Sequence, residues 1–539
     1  MRWGRPGRFC ARTGIIAASA PLFPRPGGAM PSFYQACAID YPNGNPHLGH
    51  AFEKIGADCQ ARFKRLKGFD VFFSTGVDEN SLNVARTAAA AGLDAREFID
   101  SMSPRFAALW EHLDVSASAF IRTTEPRHHQ AAQEFFRRAQ ARGDIYSDRY
   151  EGWYCLSCEN YYAEDELVEG VCPIHRRAPE WLAEENYFFA LTGYQERLRT
   201  HFLDNPDFVI PRSRYNEMLA LIEGGLKDFS VSRHRADWGI PTPDDPDHVI
   251  YVWFDALINY ATVVGFTSDD EAFRRWWPCD AQVIGKDILR FHAIYWPAML
   301  WSCGLEPPAK IVSHGFIDMA GEKLSKSRGN VIDPYDVTEY YGVDPLRYYL
   351  LREMRFLLDG SFRRETLHSR YNHDLGNDLG NLLNRCVAMI SRYCDGVLPQ
   401  PGEAADEDAE LQSAARSAWS DAERHYAAWE FSEALESAWR FIAAANRYVD
   451  QTQPFRLARD PAAGGRVGTI LYHLADCLRQ IAVLVYPAMP GVGERISSQL
   501  GCPGPGQVSW DESARWSTIS PGNPVPGGRP LFPRLDMLD

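Results

Sequence analysis

A parallel-stranded α/β unit over roughly the first 310 residues, carrying an insertion and followed from about residue 371 by helices alone, is the fold class this sequence predicts. Two patterns carry it. Residues 33–39 form a strand-like apolar run that leads through Pro46-His47-Leu48-Gly49-His50 into a helix with an apolar stripe at Phe52, Ile55, Cys59, Phe63 and Leu66. The helix stops at Gly68 and a second strand-like run, Val71-Phe72-Phe73, follows, which completes a βαβ unit of Rossmann-like type with both histidines in its first turn. Past residue 371 the apolar spacing turns helical. Leu379, Leu382, Leu383, Cys386, Met389, Ile390 and Tyr393 make one stripe, and Phe431, Leu435, Ala438, Trp439 and Ile442 another, as expected of a helix bundle.

The histidine turn suits an anion. Unpaired N–H groups and the positive end of the helix dipole favour phosphate there, and two imidazoles add donors without adding negative charge. A second cationic element, Lys323-Leu324-Ser325-Lys326-Ser327, continues into Arg328-Gly329-Asn330 and reads as a glycine-ended loop with two lysines three apart. Either motif alone is short enough for a surface loop. Together, in this order, they predict an ATP-activating site.

Composition sets the remaining limits. A chain of 539 residues is too long for one core, so two to four domains are expected. The net charge of −15 excludes a uniformly basic nucleic-acid binder, so any polynucleotide must meet a local positive patch. No apolar run reaches membrane-spanning length; residues 470–489 are interrupted by His473, Asp476 and Arg479, and no membrane partner is expected. Of twelve cysteines, nine are scattered without a disulfide framework. The other three sit in Cys155-Leu156-Ser157-Cys158 and Cys172-Pro173-Ile174-His175, the spacing of a Cys₃His tetrahedral zinc knuckle. Four protein ligands leave no open position, so one structural Zn²⁺ per chain is expected at Cys155, Cys158, Cys172 and His175.

With both signatures in hand, the chain resembles the class I aminoacyl-tRNA synthetases, whose motifs read H-I-G-H and K-M-S-K-S, with leucine here at the variable apolar position of each. It resembles the methionyl-tRNA synthetases most, from about Phe33 to the Pro530-Leu531-Phe532-Pro533-Arg534 ending. Tyr41-Pro42-Asn43-Gly44, Trp238-Gly239-Ile240-Pro241, Tyr251-Val252-Trp253-Phe254-Asp255-Ala256, Ile284-Gly285-Lys286-Asp287 and Phe291-His292 with Trp296-Pro297 recur in order. The resemblance implies a methionine:tRNA ligase whose partners are ATP with Mg²⁺, methionine and tRNA(Met). It implies catalytic roles for His47, His50, Lys323 and Lys326, and ATP contacts from Gly49, Asp287, Ser325 and Ser327. Asp78 would receive the α-ammonium group, with Ile39, Tyr41, Trp253, Ala256, Leu257, Tyr260, His292 and Trp296 shaping the side-chain pocket. In the helical region Asn381 and Arg385 would read the anticodon, with Phe455 where the family has a stacking tryptophan. A cytoplasmic location and a monomer are expected.

Domain limits follow the motif order: an extension over 1–30 without folded structure, the first half of the catalytic domain over 31–145, the zinc insertion over 146–230, the second half over 231–310, the lysine-loop linking segment over 311–370, and the helical anticodon-binding domain with a C-terminal tail over 371–539. Residues 249–253 read as a buried strand, and the Pro- and Gly-rich tail is expected to pack back on the bundle. The arginine-rich residues 1–28 read either as a targeting peptide or as an upstream start ahead of Met30. Three departures from the family mark the pocket: Asp40 in place of an aromatic residue or proline, Asn80-Ser81 in place of His-Gly, and Leu257 in place of proline. They leave open a paralogue that activates another amino acid or serves a small-molecule acceptor.

Overall fold

The computed structural model describes residues 30–155, 160–162, 164–173, 176–234, 237–319, 322–323 and 332–537. Its central sheet has six parallel strands: β1 (Ser32–Cys37), β2 (Asp70–Val77), β3 (Ala119–Arg122), β4 (Val209–Ile210), β5 (Ala281–Gly285) and β6 (Ile311–His314). They lie in the order β3-β2-β1-β5-β6-β4. The chain winds outward from β1 in one direction and returns on its other side through β5. The β1–β5 junction is therefore the topological switch point, where a crevice opens beyond the strand ends.

The helix after β1, α1 (Leu48–Leu66), differs from the one-sided helix its stripe suggested. Phe52, Ile55, Cys59, Phe63 and Leu66 are buried, but so are Glu53, Lys54, Asp58, Gln60 and Arg62. The reason is tertiary. The sheet covers one side, and later segments cover the other: Phe63 stacks on Tyr426 at 5.3 Å and meets Trp510 edge-on at 5.1 Å. At Gly56 an added Cβ would fall 2.1 Å from the Phe356 ring, so only glycine allows that approach.

Burying polar residues on α1 requires partners for them. Asp58, fully buried, accepts from Arg62 Nε at 2.7 Å, Arg347 Nη2 at 2.6 Å and both the backbone N–H and hydroxyl of Ser116. Arg347 is equally buried, on α2 (Val343–Arg352), and also donates to the carbonyls of Leu113 at 3.0 Å and Ala488 at 2.8 Å. One guanidinium thus joins the catalytic unit, the linking segment and the bundle.

The insertion is antiparallel. Ile145–Cys155 pairs with Glu180–Phe189 along its length, with Asn160–Tyr162 and Phe229–Ser230 at the two edges. Two boundaries differ from the sequence reading. Val209–Ile210, inside the stretch 146–230, is the edge strand of the catalytic sheet, and β6 carries that sheet to His314, past residue 310. Short edge strands have too few residues to show a period. The buried strand over 249–253 also stops early: His248–Ile250 pairs antiparallel with Ser232–His234, and Val252–Leu257 is helical. A segment buried on all sides has no alternation to distinguish the two.

The linking segment forms a small sheet of Ile317–Met319, Glu322–Lys323 and Gly360–Phe362. Helical winding then runs from Arg364 to Tyr393, with π-type turns over Tyr371–Gly380 and α3 (Asn381–Tyr393) last. The bundle continues with α4 (Asp406–Ala427), α5 (Phe431–Thr452), α6 (Gly464–Val485) and α7 (Pro490–Leu500). Both expected stripes face its core, except that Tyr393 is half-buried. Among the described residues Pro461–Val485 alone is long and apolar enough to cross a membrane, and its apolar stretch is 94 % buried inside the bundle. The Pro- and Gly-rich stretch 501–528 does pack back: Tyr472 Oη donates to the Ile519 carbonyl at 2.9 Å, and buried Trp510 meets Trp419 edge-on.

Arg347→Met should lower the unfolding free energy by about 3 kcal/mol, because it leaves a buried carboxylate one partner short; urea unfolding measures this. Burial alone would raise the Asp58 carboxyl, but Arg62 and Arg347 outweigh it and hold it well below the usual carboxylate range. The stability it contributes is therefore complete above about pH 4 and is lost as pH falls further. The urea midpoint should drop from pH 4 to pH 3, and Asp58→Asn should lack part of that drop.

Candidate active site

At the switch point the N-terminus of α1 is capped by its own histidines. His47 is the N-cap and its Nδ1 accepts from the Gly49 N–H at 3.1 Å, while His50 Nδ1 accepts from the His47 N–H at 3.0 Å. The rings stack at 3.8 Å. An Nδ1 that accepts fixes the tautomer, so Nε2 is the donating nitrogen of each ring. At Gly49 an added Cβ would fall 2.9 Å from His47 Cε1, which would break this arrangement.

Of the lysine segment only Lys323 is among the described residues. Lys323 lies in the strand Glu322–Lys323, opposite Asp318, and the chain re-enters the described structure at Ile332, whose carbonyl accepts from the Leu48 N–H at 3.2 Å. Ser325, Lys326 and Ser327 lie outside the described residues, as do Cys158 and His175. Through its bond to Leu48, Ile332 is seated against the first turn of α1. Asp287, expected at ATP, follows β5 in the turn Lys286–Ile288, and its Oδ1 lies 2.8 Å from where a Cβ on Gly285 would stand.

Beyond the β1 end, the predicted pocket residues come together. The Trp253 indole stacks face to face on Phe291 at 3.9 Å, and Tyr41 meets it edge-on at 6.4 Å. Ile39 and Tyr41 are half-buried, while Ala256, Leu257, Tyr260, His292 and Trp296 are buried. Trp296 packs behind Tyr260. His292 Nδ1 donates to the Ile288 carbonyl at 2.9 Å, so its Nε2 accepts from the Tyr260 hydroxyl at 2.8 Å. Burial pushes the His292 pKa down to about 4 and that of Tyr260 well up, which keeps both neutral. An uncharged, aromatic wall suits an apolar side chain with a polarizable atom.

Asp78 sits at the end of β2, its N–H donating to the Asp40 carbonyl at 2.9 Å. The departures after it each have a structural role. Asn80 Nδ2 donates to Asp255 at 2.8 Å and to the Thr123 carbonyl at 3.0 Å, and Asp255, fully buried, also receives His128 Nε2 at 2.5 Å. An amide can make the donation that an imidazole N–H would make. Ser81 caps the helix Leu82–Ala90 through the N–H groups of Asn83 and Val84. Glu79 anchors the loop by accepting from Arg122 at 2.7 Å and from Ser103. Asp40, another of the departures, is ion-paired with Lys54 at 2.9 Å.

Farther away, Asn381 is exposed at the start of α3, and Arg385 is one-third exposed with its guanidinium 3.4 Å from Asp450 near the end of α5. Phe455 follows that helix and is 39 % exposed. The three lie at the end of the bundle where α5 terminates. In the insertion, Cys155 and Cys172 are buried in one small cluster with Tyr162, Trp153 and Leu167. The Cys172 carbonyl accepts from the Arg176 N–H and its own N–H donates to the Arg177 carbonyl, both at 2.9 Å. Among the described residues no three potential ligands converge, and two of the four expected are not among them.

Comparison with known proteins agrees with this geometry. The family model for class I tRNA synthetases (M) matches residues 33–178 and 165–387. The methionine–tRNA ligase of Caldanaerobacter subterraneus subsp. tengcongensis is 44% identical over 507 residues, covering 94% of this chain and 79% of its own. The enzyme of Mycobacterium tuberculosis strain H37Rv is 44% identical over 512 residues, covering 94% and 98%. The structure of Mycobacterium tuberculosis methionyl-tRNA synthetase in complex with methionyl-adenylate superposes with a TM-score of 0.90, covering 94% of this chain and all of that one. The chain belongs to the methionyl-tRNA synthetases.

For a methionyl-tRNA synthetase, sequence reasoning missed a buried polar layer beneath the site: Glu53, Lys54 and His314, and the pair His128 and Asp255. Lys54 stands off the α1 stripe and would be assigned to solvent by periodicity. Asp255 lies in a quoted motif, but its partner 127 residues earlier carries no local signal. Asn80→Ala removes both donations to buried acceptors and should cost about 2 kcal/mol of stability in urea unfolding, with Asn80→His recovering at least half.

Proposed function

We propose that this chain activates methionine with ATP to form methionyl-adenylate and transfers the methionyl group to the 3′ end of tRNA(Met). The observation that supports the mechanism is the Leu48 N–H to Ile332 carbonyl bond, which seats the first described residue after the lysine motif on the histidine turn. The methionine carboxylate attacks the α-phosphorus in line, pyrophosphate leaves, and a ribose hydroxyl of the tRNA then takes the methionyl group. Covalent work by the protein is not needed; positioning and charge stabilisation suffice. His47 and His50 donate from Nε2 to the phosphates, supported by the N–H groups of the first turn of α1 around Gly49. Lys323 and Lys326, with Ser325 and Ser327, neutralise the β and γ oxygens as pyrophosphate departs. Asp287 contacts the ATP, which would carry Mg²⁺ on its phosphates.

Asp78 takes the α-ammonium group, and Ile39, Tyr41, Trp253, Ala256, Leu257, Tyr260, His292 and Trp296 form the side-chain pocket. The neutral Tyr260–His292 pair presents no charge to a thioether, and the structural roles of Asn80 and Ser81 support methionine rather than an altered substrate. Asn381, Arg385 and Phe455 read the anticodon, with a phenyl ring giving less stacking area than an indole. Cys155, Cys158, Cys172 and His175 would hold one Zn²⁺, a closed four-ligand site that would serve the insertion's stability rather than the reaction. We place the enzyme in the cytoplasm as a monomer.

Amino-acid-dependent pyrophosphate exchange into ATP tests the reading: exchange should require methionine, and exchange with a different amino acid would overturn it. Lys326→Ala should slow exchange about a hundredfold without unfolding the protein, whereas Arg385→Ala should leave exchange unchanged and impair charging of tRNA. Metal analysis should find about one zinc per chain, lost in the Cys155→Ser, Cys158→Ser double variant.

A further inference from the structure

Lys54 lies two turns into the helix that begins with His47 and His50, and it is fully buried. Its ammonium group donates to Glu53 Oε1 at 2.6 Å and to the Ala38 carbonyl at 2.8 Å, and forms an ion pair with Asp40 Oδ2 at 2.9 Å. Burial would lower its pKa, but the Asp40 and Glu53 carboxylates outweigh that and hold it well above the usual lysine range. The two carboxylates thus favour the ammonium form. Glu53 Oε2 in turn receives His314 Nε2 at 2.9 Å at the end of β6.

What Lys54 grips is the back of the amino-acid pocket. Residues 38–40 continue β1 beyond the sheet, and Ala38 N–H bonds the Val283 carbonyl at 3.0 Å on β5. On the other side the Asp40 N–H bonds the Gly76 carbonyl at 3.1 Å, and the Asp40 carbonyl accepts from Asp78. Successive side chains of an extended segment point to opposite sides. Ile39 and Tyr41 pack with the aromatic cluster of the pocket, while Asp40 reaches α1.

We infer that Lys54 and Asp40 form a positioning strut that fixes the amino-acid wall, with Asp78 attached to it, at a set distance from the phosphate-binding turn of α1. Attack on the α-phosphorus needs the carboxylate and the nucleotide in register, and a displacement of about 1 Å can cost about a hundredfold in rate. One end of the strut is on the helix that carries the histidines. The other is on the segment that carries Ile39, Tyr41 and, by backbone bonds, Asp78. Neither residue touches substrate in this role. The inference rests on the pocket assignment of the preceding section.

The test separates the two chemical steps. Lys54→Met and Asp40→Ala should each lower kcat for methionine-dependent pyrophosphate exchange at least thirtyfold, with KM for methionine and for ATP each within threefold. The double variant should be no worse than the poorer single one, since either change breaks the same link. Single-turnover transfer from preformed methionyl-adenylate to tRNA should stay within threefold, because that step no longer requires carboxylate and ATP in register. Asp40→Asn keeps an oxygen acceptor for Lys54 and should recover most of the activity lost in Asp40→Ala; it serves also if Lys54→Met fails to fold. Transfer falling as far as activation, additive losses in the double variant, or no recovery with asparagine would each overturn the strut. Asp78→Ala is the control for the pocket assignment itself: if it leaves methionine-dependent exchange intact, that assignment fails independently of the strut.

Discussion

Asp58 is where the structure is committed. A carboxylate removed from water is costly unless every lone pair is matched, and here two guanidinium groups, a hydroxyl and a backbone N–H converge on one side chain. Because Arg347 also serves the carbonyls of Leu113 and Ala488, the arrangement works only with the linking helix α2 and the α6–α7 connection both seated. The orientation of α1 relative to the sheet and the bundle follows from this. The histidine turn is the other end of the same helix, so its position inherits that constraint.

Along α1 the polar residues are spent in sequence on different tasks. His47 and His50 cap the start and set their own tautomers; Glu53 and Lys54 reach the ends of β1 and β6; Asp58 and Arg62 meet the later domains. A helix that must touch a sheet, a nucleotide and a bundle has no solvent face to spare. Its charges therefore become internal links, each paired. The buried aromatic cluster around Trp253 uses the opposite device. Tyr260 and His292 are kept neutral by burial and hold each other through one hydrogen bond, so this cluster has shape and polarizability without charge.

The departures from the family pattern acquire physical meaning in this context. Asn80 replaces one donor to Asp255 with another, Ser81 supplies a helix cap, and Asp40 is matched to a lysine it meets only in the fold. Asn80 and Asp40 are matched at a distance, Ser81 by its own helix. Leu257, the remaining one, is buried on the helix Val252–Leu257, where nothing in the structure explains leucine over proline beyond the backbone N–H that proline would lack.

By itself the sequence determined the architecture class, the βαβ unit with its histidine turn, the bundle stripes and the returning tail, because apolar period and turn chemistry are local quantities written over ten or so residues. The ordered motifs identified the family for the same reason: His47, His50 and the lysine segment are contiguous signals. Tertiary structure alone decided that Val209–Ile210 joins the catalytic sheet, that residues 252–257 are helical, and that Glu53, Lys54, Asp58 and Arg62 are interior. Strands of two residues and segments buried on every side have no period to read. An ion pair between residues 14 or 289 apart, such as Lys54 with Asp40 or Arg347 with Asp58, exists only once the chain has brought those charges out of water together.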